Sequence, residues 1–188
     1  MSGLNNHQLN QVIRWNPALV RHCLATRSAT TLPAKIEKYP RAFIANTAAA
    51  SRPGQHWVAF VVWSRKSVEF FDSYGLPPRF YSTHFAEFVD RYSKVVYNRK
   101  ELQSIETHVC GQWCLYWLYR RLQGERHEDI VRTFHQDVLD NDRRVALFVY
   151  QQLVKPHLYK RRLVRKPRSV QASQNKMCVL KCIQKSIK

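Results

Sequence analysis

The sequence predicts an α+β domain with a mixed central β-sheet flanked by helices, and two observations carry that prediction. The segment His56-Trp57-Val58-Ala59-Phe60-Val61-Val62-Trp63 is apolar on both pleat faces and rich in β-branched and aromatic residues, the pattern of a central strand covered on both sides. The other periodic segments fall in the order helix, mixed sheet, helices, which adds up to α+β.

The elements follow in chain order. Leu4, Leu9, Val12 and Ile13 have helical spacing, and Pro17 either limits that helix or starts the next. After a polar stretch with Pro33 and Pro40, the run Ala42-Phe43-Ile44-Ala45 reads as a strand, and Pro53-Gly54 is a turn signal. Ser64-Arg65-Lys66 is a short polar break behind the central strand. Ser67 to Asp72 then alternates as the returning strand of a hairpin, ended by Tyr74-Gly75-Leu76-Pro77-Pro78. Tyr81, Phe85, Phe88, Val89 and Tyr92 share one face at helical spacing, and Val95-Val96-Tyr97 predicts another short strand. A long helix begins near Cys110 and runs through Trp113, Cys114, Trp117 and Leu118, with Gly124 as its stop. Ile130, Val131, Phe134 and Val138 predict a further helix. Val145, Phe148, Val149, Gln152 and Leu153 predict one more, ended by Pro156.

Composition bounds the function. The chain has 188 residues, 45% of them hydrophobic and 12% aromatic, which excludes overall disorder and collagen-like repeats. Charge is the unusual feature: 31 Lys and Arg stand against 13 Asp and Glu, a net +18. Eleven of those cations lie in residues 155–188 with no acid among them, leaving +7 for the rest. The expected organisation is a domain over 1–162 and a flexible basic tail over 163–188. Such a tail is attracted to nucleic acid, anionic lipid or an acidic protein surface without reading sequence; the alternative is a solubilising, disordered terminus. Five cysteines are an odd number, the first thirty residues lack a leader-like apolar stretch, and no window of about twenty apolar residues occurs. The expectation is an intracellular, reduced protein without a membrane span, whose thiols are chemical or buried.

Three residues could do chemistry together. If paired residue numbers in the hairpin sum to about 130, Val58 faces Asp72 and His56 becomes a same-face diagonal neighbour of Asp72, within reach of an imidazole–carboxylate contact. An Asp that accepts the imidazole N–H fixes the tautomer and strengthens the ring as a base. Cys110 opens a helix, where the backbone N–H groups and the helix dipole favour a thiolate, and Gly111 next to it allows a close backbone approach to substrate. A thiolate, a base and an orienting carboxylate are the parts of a cysteine hydrolase. Taken singly, each has a plainer explanation: Asp72 as the start of a turn, Cys110 and Cys114 as small buried hydrophobes, or the two Cys-x3-Cys pairs as zinc ligands, though 63 residues separate those pairs.

The order His56-Trp57, Asp72-Ser73-Tyr74-Gly75, Gln103 and Cys110-Gly111-x-x-Cys114 resembles the adenovirus protease family (adenain), within the wider clan of SUMO and ubiquitin-like-protein cysteine proteases. Asn46-Thr47-Ala48 ahead of the His-Trp strand, and Gln103 seven residues before the cysteine, look like the adenovirus type. The resemblance runs from about Leu4 to Arg161. It implies a permuted papain-like fold in which Cys110 is the nucleophile, His56 the general base and then acid, Asp72 the group orienting His56, and Gln103 an oxyanion donor beside the Cys110 backbone N–H. Trp57 and Gly111 would contact substrate. It further implies a cysteine endopeptidase that cleaves viral or virus-like-element precursor proteins at glycine-containing sites, as a monomer in the host nucleus or virion. DNA would be a possible activator, and no metal or other cofactor is required. Two alternatives stay beside it: a SUMO or ubiquitin-like-modifier protease with the same residues, and an inactive nucleic-acid-binding module. The sequence departs from the adenovirus pattern in having Asp72 where Glu is usual, which looks more SUMO-type, and His108-Val109 stand before the cysteine where SUMO-type enzymes often have Asp. No cysteine lies between Cys23 and Cys110, so an activating peptide tethered there by a disulfide cannot be carried over.

Overall fold

The structure is a computed structural model describing residues 2–52 and 54–158. Its centre is one five-stranded mixed sheet in sequential order: β1 (Arg27–Ser28), β2 (Arg41–Asn46), β3 (Trp57–Ser64), β4 (Ser67–Phe71) and β5 (Lys94–Tyr97). The middle three strands pair antiparallel, and β1 and β5 run parallel to their neighbours. The β3–β4 register pairs Ala59 with Phe71 and Phe60 with Phe70. This is the predicted sum of 130. A bulge between Val62 and Ser64 shifts the pairing only next to the turn.

Both faces of β3 are covered, as its continuous apolar run requires. Ala59 and Val61 face a core shared with Phe71, helix α1 (Asn6–Trp15) and helix α5 (Cys110–Leu122). Val58, Phe60 and Val62 face a second cluster holding Phe43, Phe85 and Phe88. Helix α5 lies over the first face and is buried along nearly its whole length. Trp117 stacks on Phe71 with ring centroids 5.1 Å apart. Each fully buried aromatic of this kind contributes about 1.5–3 kcal/mol by area, and Phe71→Ala type truncations cost about 3–5 kcal/mol. The helix is thus anchored to the sheet. Its first residue cannot drift.

Pro17 starts a short helix α2 (Pro17–Val20), with Asn16 capping it. The aromatic helix predicted after the glycine turn is two pieces, α3 (Pro78–Tyr81) and α4 (Thr83–Val89). Ser82 interrupts with extended backbone, and its hydroxyl accepts the Phe85 N–H as the cap of α4. Tyr81 consequently leaves the α4 face. The single helix predicted over Ile130 to Val138 is likewise α6 (His127–Arg132) and the start of α7 (Val138–Phe148). Asp137 caps α7 through the Asp140 N–H, while the Phe134 ring fills the core against Trp113 from the connection between them. Pro156 does not end the last helix. A π-helical turn over Val149–Val154 displaces the carbonyls that a proline ring would meet, and helix continues through 155–158. The predicted 163–188 tail and Cys178 and Cys182 lie outside the described residues. Among the described residues no helix is long and apolar enough to cross a membrane.

Candidate active site

The end of the β3–β4 hairpin away from its turn brings His56 and Asp72 together. His56 Nε2 lies 2.6 Å from Asp72 Oδ1, with the imidazole buried and the carboxylate wholly so. The second ring nitrogen is not engaged by Asp72, and Cys110 stands close enough to the ring to favour its protonated form. Burial alone would lower the affinity of His56 for its proton. The hydrogen bond to Asp72 and the neighbouring Cys110 and Asp72 outweigh that and push its pKa up to about 9. The ring packs on Tyr74 at 4.6 Å, so it is fixed in plane as well as in tautomer.

Asp72 is held on every side. Oδ1 also accepts the Tyr74 N–H at 3.2 Å, and Oδ2 accepts the Leu76 N–H at 2.9 Å and the Tyr81 hydroxyl at 2.8 Å. Its backbone exchanges two hydrogen bonds with the Asn98 side chain. Gly75 supplies the left-handed turn (φ 74°) that lets the Tyr74 and Leu76 N–H groups fold back onto the carboxylate, while its own N–H donates to the Asp72 carbonyl. A Cβ there would also meet the backbone of Lys100 at 2.7 Å.

Gln103 is fully buried, and its amide orientation follows from its partners. Oε1 accepts the Ser73 hydroxyl at 2.7 Å, so Nε2 faces the other way, donating to the Thr107 carbonyl at 3.2 Å and lying 3.4 Å from the Tyr74 hydroxyl. Burial beside Cys110 and Asp72 pushes the Tyr74 phenol up to about 12, so it stays neutral. Behind Thr107 stands Asp142 of α7, a fully buried carboxylate that accepts the Thr107 hydroxyl at 2.6 Å, the Trp113 indole N–H at 2.7 Å and the Ser104 N–H at 3.1 Å. Burial pushes its pKa up against those three donors. One side chain thereby ties the loop carrying Gln103 to the helix carrying Cys110.

Cys110 is the first residue of α5 and borders a cleft of about 760 Å³ together with His56, Trp57, Tyr74, Thr107 and His108. Cys114, one turn later, is sealed in the core, where burial raises its pKa well above the usual thiol range. Burial likewise pushes Cys23 up to about 12. Trp57 donates its indole N–H to the Leu4 carbonyl at 2.9 Å and lines the cleft. At Gly111 a Cβ would meet Leu9 at 3.2 Å, Leu4 at 3.3 Å and Trp57 at 3.5 Å, so its missing side chain admits this chain's own N-terminal segment. His108 is exposed on the cleft rim, with its carbonyl against Gly3.

His56, Asp72, Gln103 and Cys110 are therefore gathered at one end of the sheet, with Trp57 beside them. Sequence reasoning missed Tyr81, Asn98, Thr107 and Asp142. A buried acid among the polar positions of α7 leaves no local signal, since its partners lie 29–38 residues away in sequence. No cluster of residues suited to holding a metal ion occurs among the described residues.

Compared with solved structures, the chain superposes on the crystal structure of the ASFV pS273R protease with a TM-score of 0.50 and 17% identity, over 72% of this chain and 63% of that one. The fold resembles that of the ASFV pS273R protease. A selenomethionine crystal structure of the same ASFV protease aligns over 72% of this chain and 64% of that one at 19% identity, with a TM-score of 0.44. The chain spans less than two thirds of the ASFV protease's length. No family model and no curated protein matches it.

Proposed function

We propose that the chain is a cysteine endopeptidase of the adenovirus-protease type, acting on precursor proteins of a virus or virus-like element at glycine-containing sites. The observation that carries this is the buried 2.6 Å His56–Asp72 hydrogen bond with Cys110 beside the imidazole and bordering the same cleft. The Cys110 sulfur attacks the scissile carbonyl as the thiolate, and the imidazolium of His56 gives its proton to the departing amine. A thioester is left on Cys110. Water, losing its proton to His56, hydrolyses it and restores the thiol. The negative charge that develops on the carbonyl oxygen in both steps is met by the Cys110 backbone N–H and by Gln103 Nε2, whose contacts beyond the Thr107 carbonyl are long, 3.4 Å to both the Tyr74 and the Thr107 hydroxyls. Trp57 and Tyr74 wall the cleft beside Cys110. A channel between two aromatic rings favours residues without side chains, which supports cleavage next to glycine. The basic charge of the chain supports nucleic acid as a platform or activator, and no cofactor enters the chemistry.

Asp72-Ser73 favours the second reading, a protease for ubiquitin-like modifiers. Its substrates separate it: short peptides ending in Gly-Gly against folded modifier conjugates.

Active-site labelling tests the enzyme. A peptidyl electrophile should alkylate Cys110 selectively, located by peptide mapping, while the sealed Cys114 stays unmodified. The label should be lost in Cys110→Ala and at least tenfold slower in His56→Ala. Equal labelling of Cys110 with and without His56 would defeat the endopeptidase assignment.

A further inference from the structure

We infer that the cleft selects substrates carrying an acidic side chain about three residues from the scissile bond, held by Arg27 and Arg52. This rests on the endopeptidase reading and adds a specificity to it.

The net charge of residues 1–158 is carried by the first part of the chain. Residues 1–68 hold nine Lys and Arg against the single acid Glu37, whereas residues 69–158 hold twelve cations and twelve acids. Among the described residues, the only ion pair made by those nine cations is Lys35–Glu37. The cleft is built largely from this unneutralised stretch. No Asp or Glu among the described residues lines it, while Arg27, Arg52, His56 and His108 do. Asp72 lies behind His56 with no exposed surface. Arg27 is half-buried, and its Nε–H is buried without an acceptor, a costly state for a charged donor unless a ligand supplies one. Arg52 is exposed on the loop that follows β2.

Strand register sets the distance. Trp57 pairs with Asn46, and Asn46 with Ser28, so Arg27 stands at the same end of the sheet as His56, two strands over. Strands lie about 4.8 Å apart, and an extended peptide advances about 3.3 Å per residue, so roughly 10 Å corresponds to about three residues. A guanidinium there can take a carboxylate by two parallel hydrogen bonds. A peptide fits this arm better than a nucleic acid. Toward Arg27 the cleft is lined by Thr26, Ser28, Thr31 and Ala48, with no aromatic platform on which bases could stack.

The test is a scan of peptides containing one Gly-Gly site, with Glu, Gln or Lys placed at each position from four before to four after the scissile bond. At low salt kcat/KM should favour Glu about tenfold at one position about three residues out. The ratio should fall to about one in Arg27→Gln, shrink in Arg52→Gln, and turn in favour of Lys in Arg27→Glu. Because each ratio compares two peptides on one protein, a partial loss of folding cancels. A flat wild-type scan, or a preference that survives both glutamine substitutions, overturns the inference. The same peptides are also bound to the Cys110→Ala protein and followed by fluorescence anisotropy. Tighter binding of the Glu peptide there, with no cleavage by the native protein, keeps the acidic preference and removes the peptidase. If instead a single-stranded oligonucleotide loses affinity in Arg27→Gln while Glu and Gln peptides bind alike, the arginines belong to nucleic acid and the inference falls.

Discussion

Residues 2–68 and residues 69–158 meet at the site, yet they treat their charged groups differently. The second stretch pairs the carboxylates it buries. Asp72 accepts four hydrogen bonds, Asp142 three, and Glu69 on β4 takes the Arg121 guanidinium at 2.7 and 2.8 Å while that cation stacks on Trp63 at 4.6 Å. Arg79 with Asp90, Arg120 with Glu125 and Arg126 with Asp129 continue the pattern at the surface. In the first stretch, among the described residues, only Lys35 has an acid partner, Glu37, and the other eight cations have none. A carboxylate buried with every lone pair occupied cannot reorient, which suits a group that must hold an imidazole. A cation left without an acid can still take one from outside. On the proposed reading, the second stretch would position the chemistry and the first would meet the ligand.

The largest effect that tests this division is on Asp72. Asp72→Asn keeps the shape but removes the charge, and it places an amide where the imidazole N–H needs an acceptor. Activity should fall roughly 10²- to 10⁴-fold. The pH profile distinguishes this from a structural fault. With His56 raised from 6.5 to about 9, the imidazolium that protonates the leaving amine persists to about pH 9, so the alkaline limb of kcat/KM should lie near there. The same shift contributes stability that is fully present below pH 6.5 and is lost as the pH rises through about 9. In Asp72→Asn the desolvation of the ring is no longer opposed by that partner. The alkaline limb should move to lower pH, and an unmoved limb would mean that Asp72 does not govern His56.

Gln103 comes next. Gln103→Ala should reduce kcat roughly 10²- to 10³-fold with KM little changed, because its Nε2 would serve the oxyanion and not the ground-state carbonyl. Gln103→Glu, which keeps the Ser73 contact but offers no N–H, should be no better than the alanine variant. Recovery of activity in the glutamate variant would assign Gln103 to loop support alone.

How much of this was legible in sequence divides along the same line. The β3 strand, the hairpin register and hence the meeting of His56 and Asp72 could be read, because a run apolar on both faces with a three-residue polar break admits few pairings. The start of α5 at Cys110 could be read from helical periodicity. The breaks at Ser82 and after Arg132 could not, since aromatic residues such as Tyr81 and Phe134 reach the core from loops and short turns and so mimic one helical face. Pro156 misled in the opposite direction, because a π turn is invisible to a rule written for α-helices. Asp142 and Tyr81 stayed hidden for a different reason. They are partners chosen by tertiary packing, and nothing near them in sequence announces a buried donor or acceptor elsewhere. The packing of Gly111 against Leu4, Leu9 and Trp57 was not legible either, because those residues are distant in sequence.

The smallest expected effects sharpen the comparison from its two ends. Arg121 and Arg65 are both arginines close to the same hairpin, one beneath it against Glu69 and one exposed on its turn. Arg121→Gln leaves the Glu69 carboxylate buried without its cation and should cost about 3 kcal/mol, read from urea unfolding at neutral pH. Arg65→Gln removes a charge with no ion partner among the described residues, and should change stability by no more than about 0.5 kcal/mol in either direction. Because the first stretch carries eight more cations than acids, any change at Arg65 should lean toward stabilisation at low salt and vanish as salt screens the repulsion. A cost at Arg65 comparable to that at Arg121 would show that the first stretch uses its cations to hold the fold, and the contrast between a paired scaffold and an unpaired wall would have to be given up.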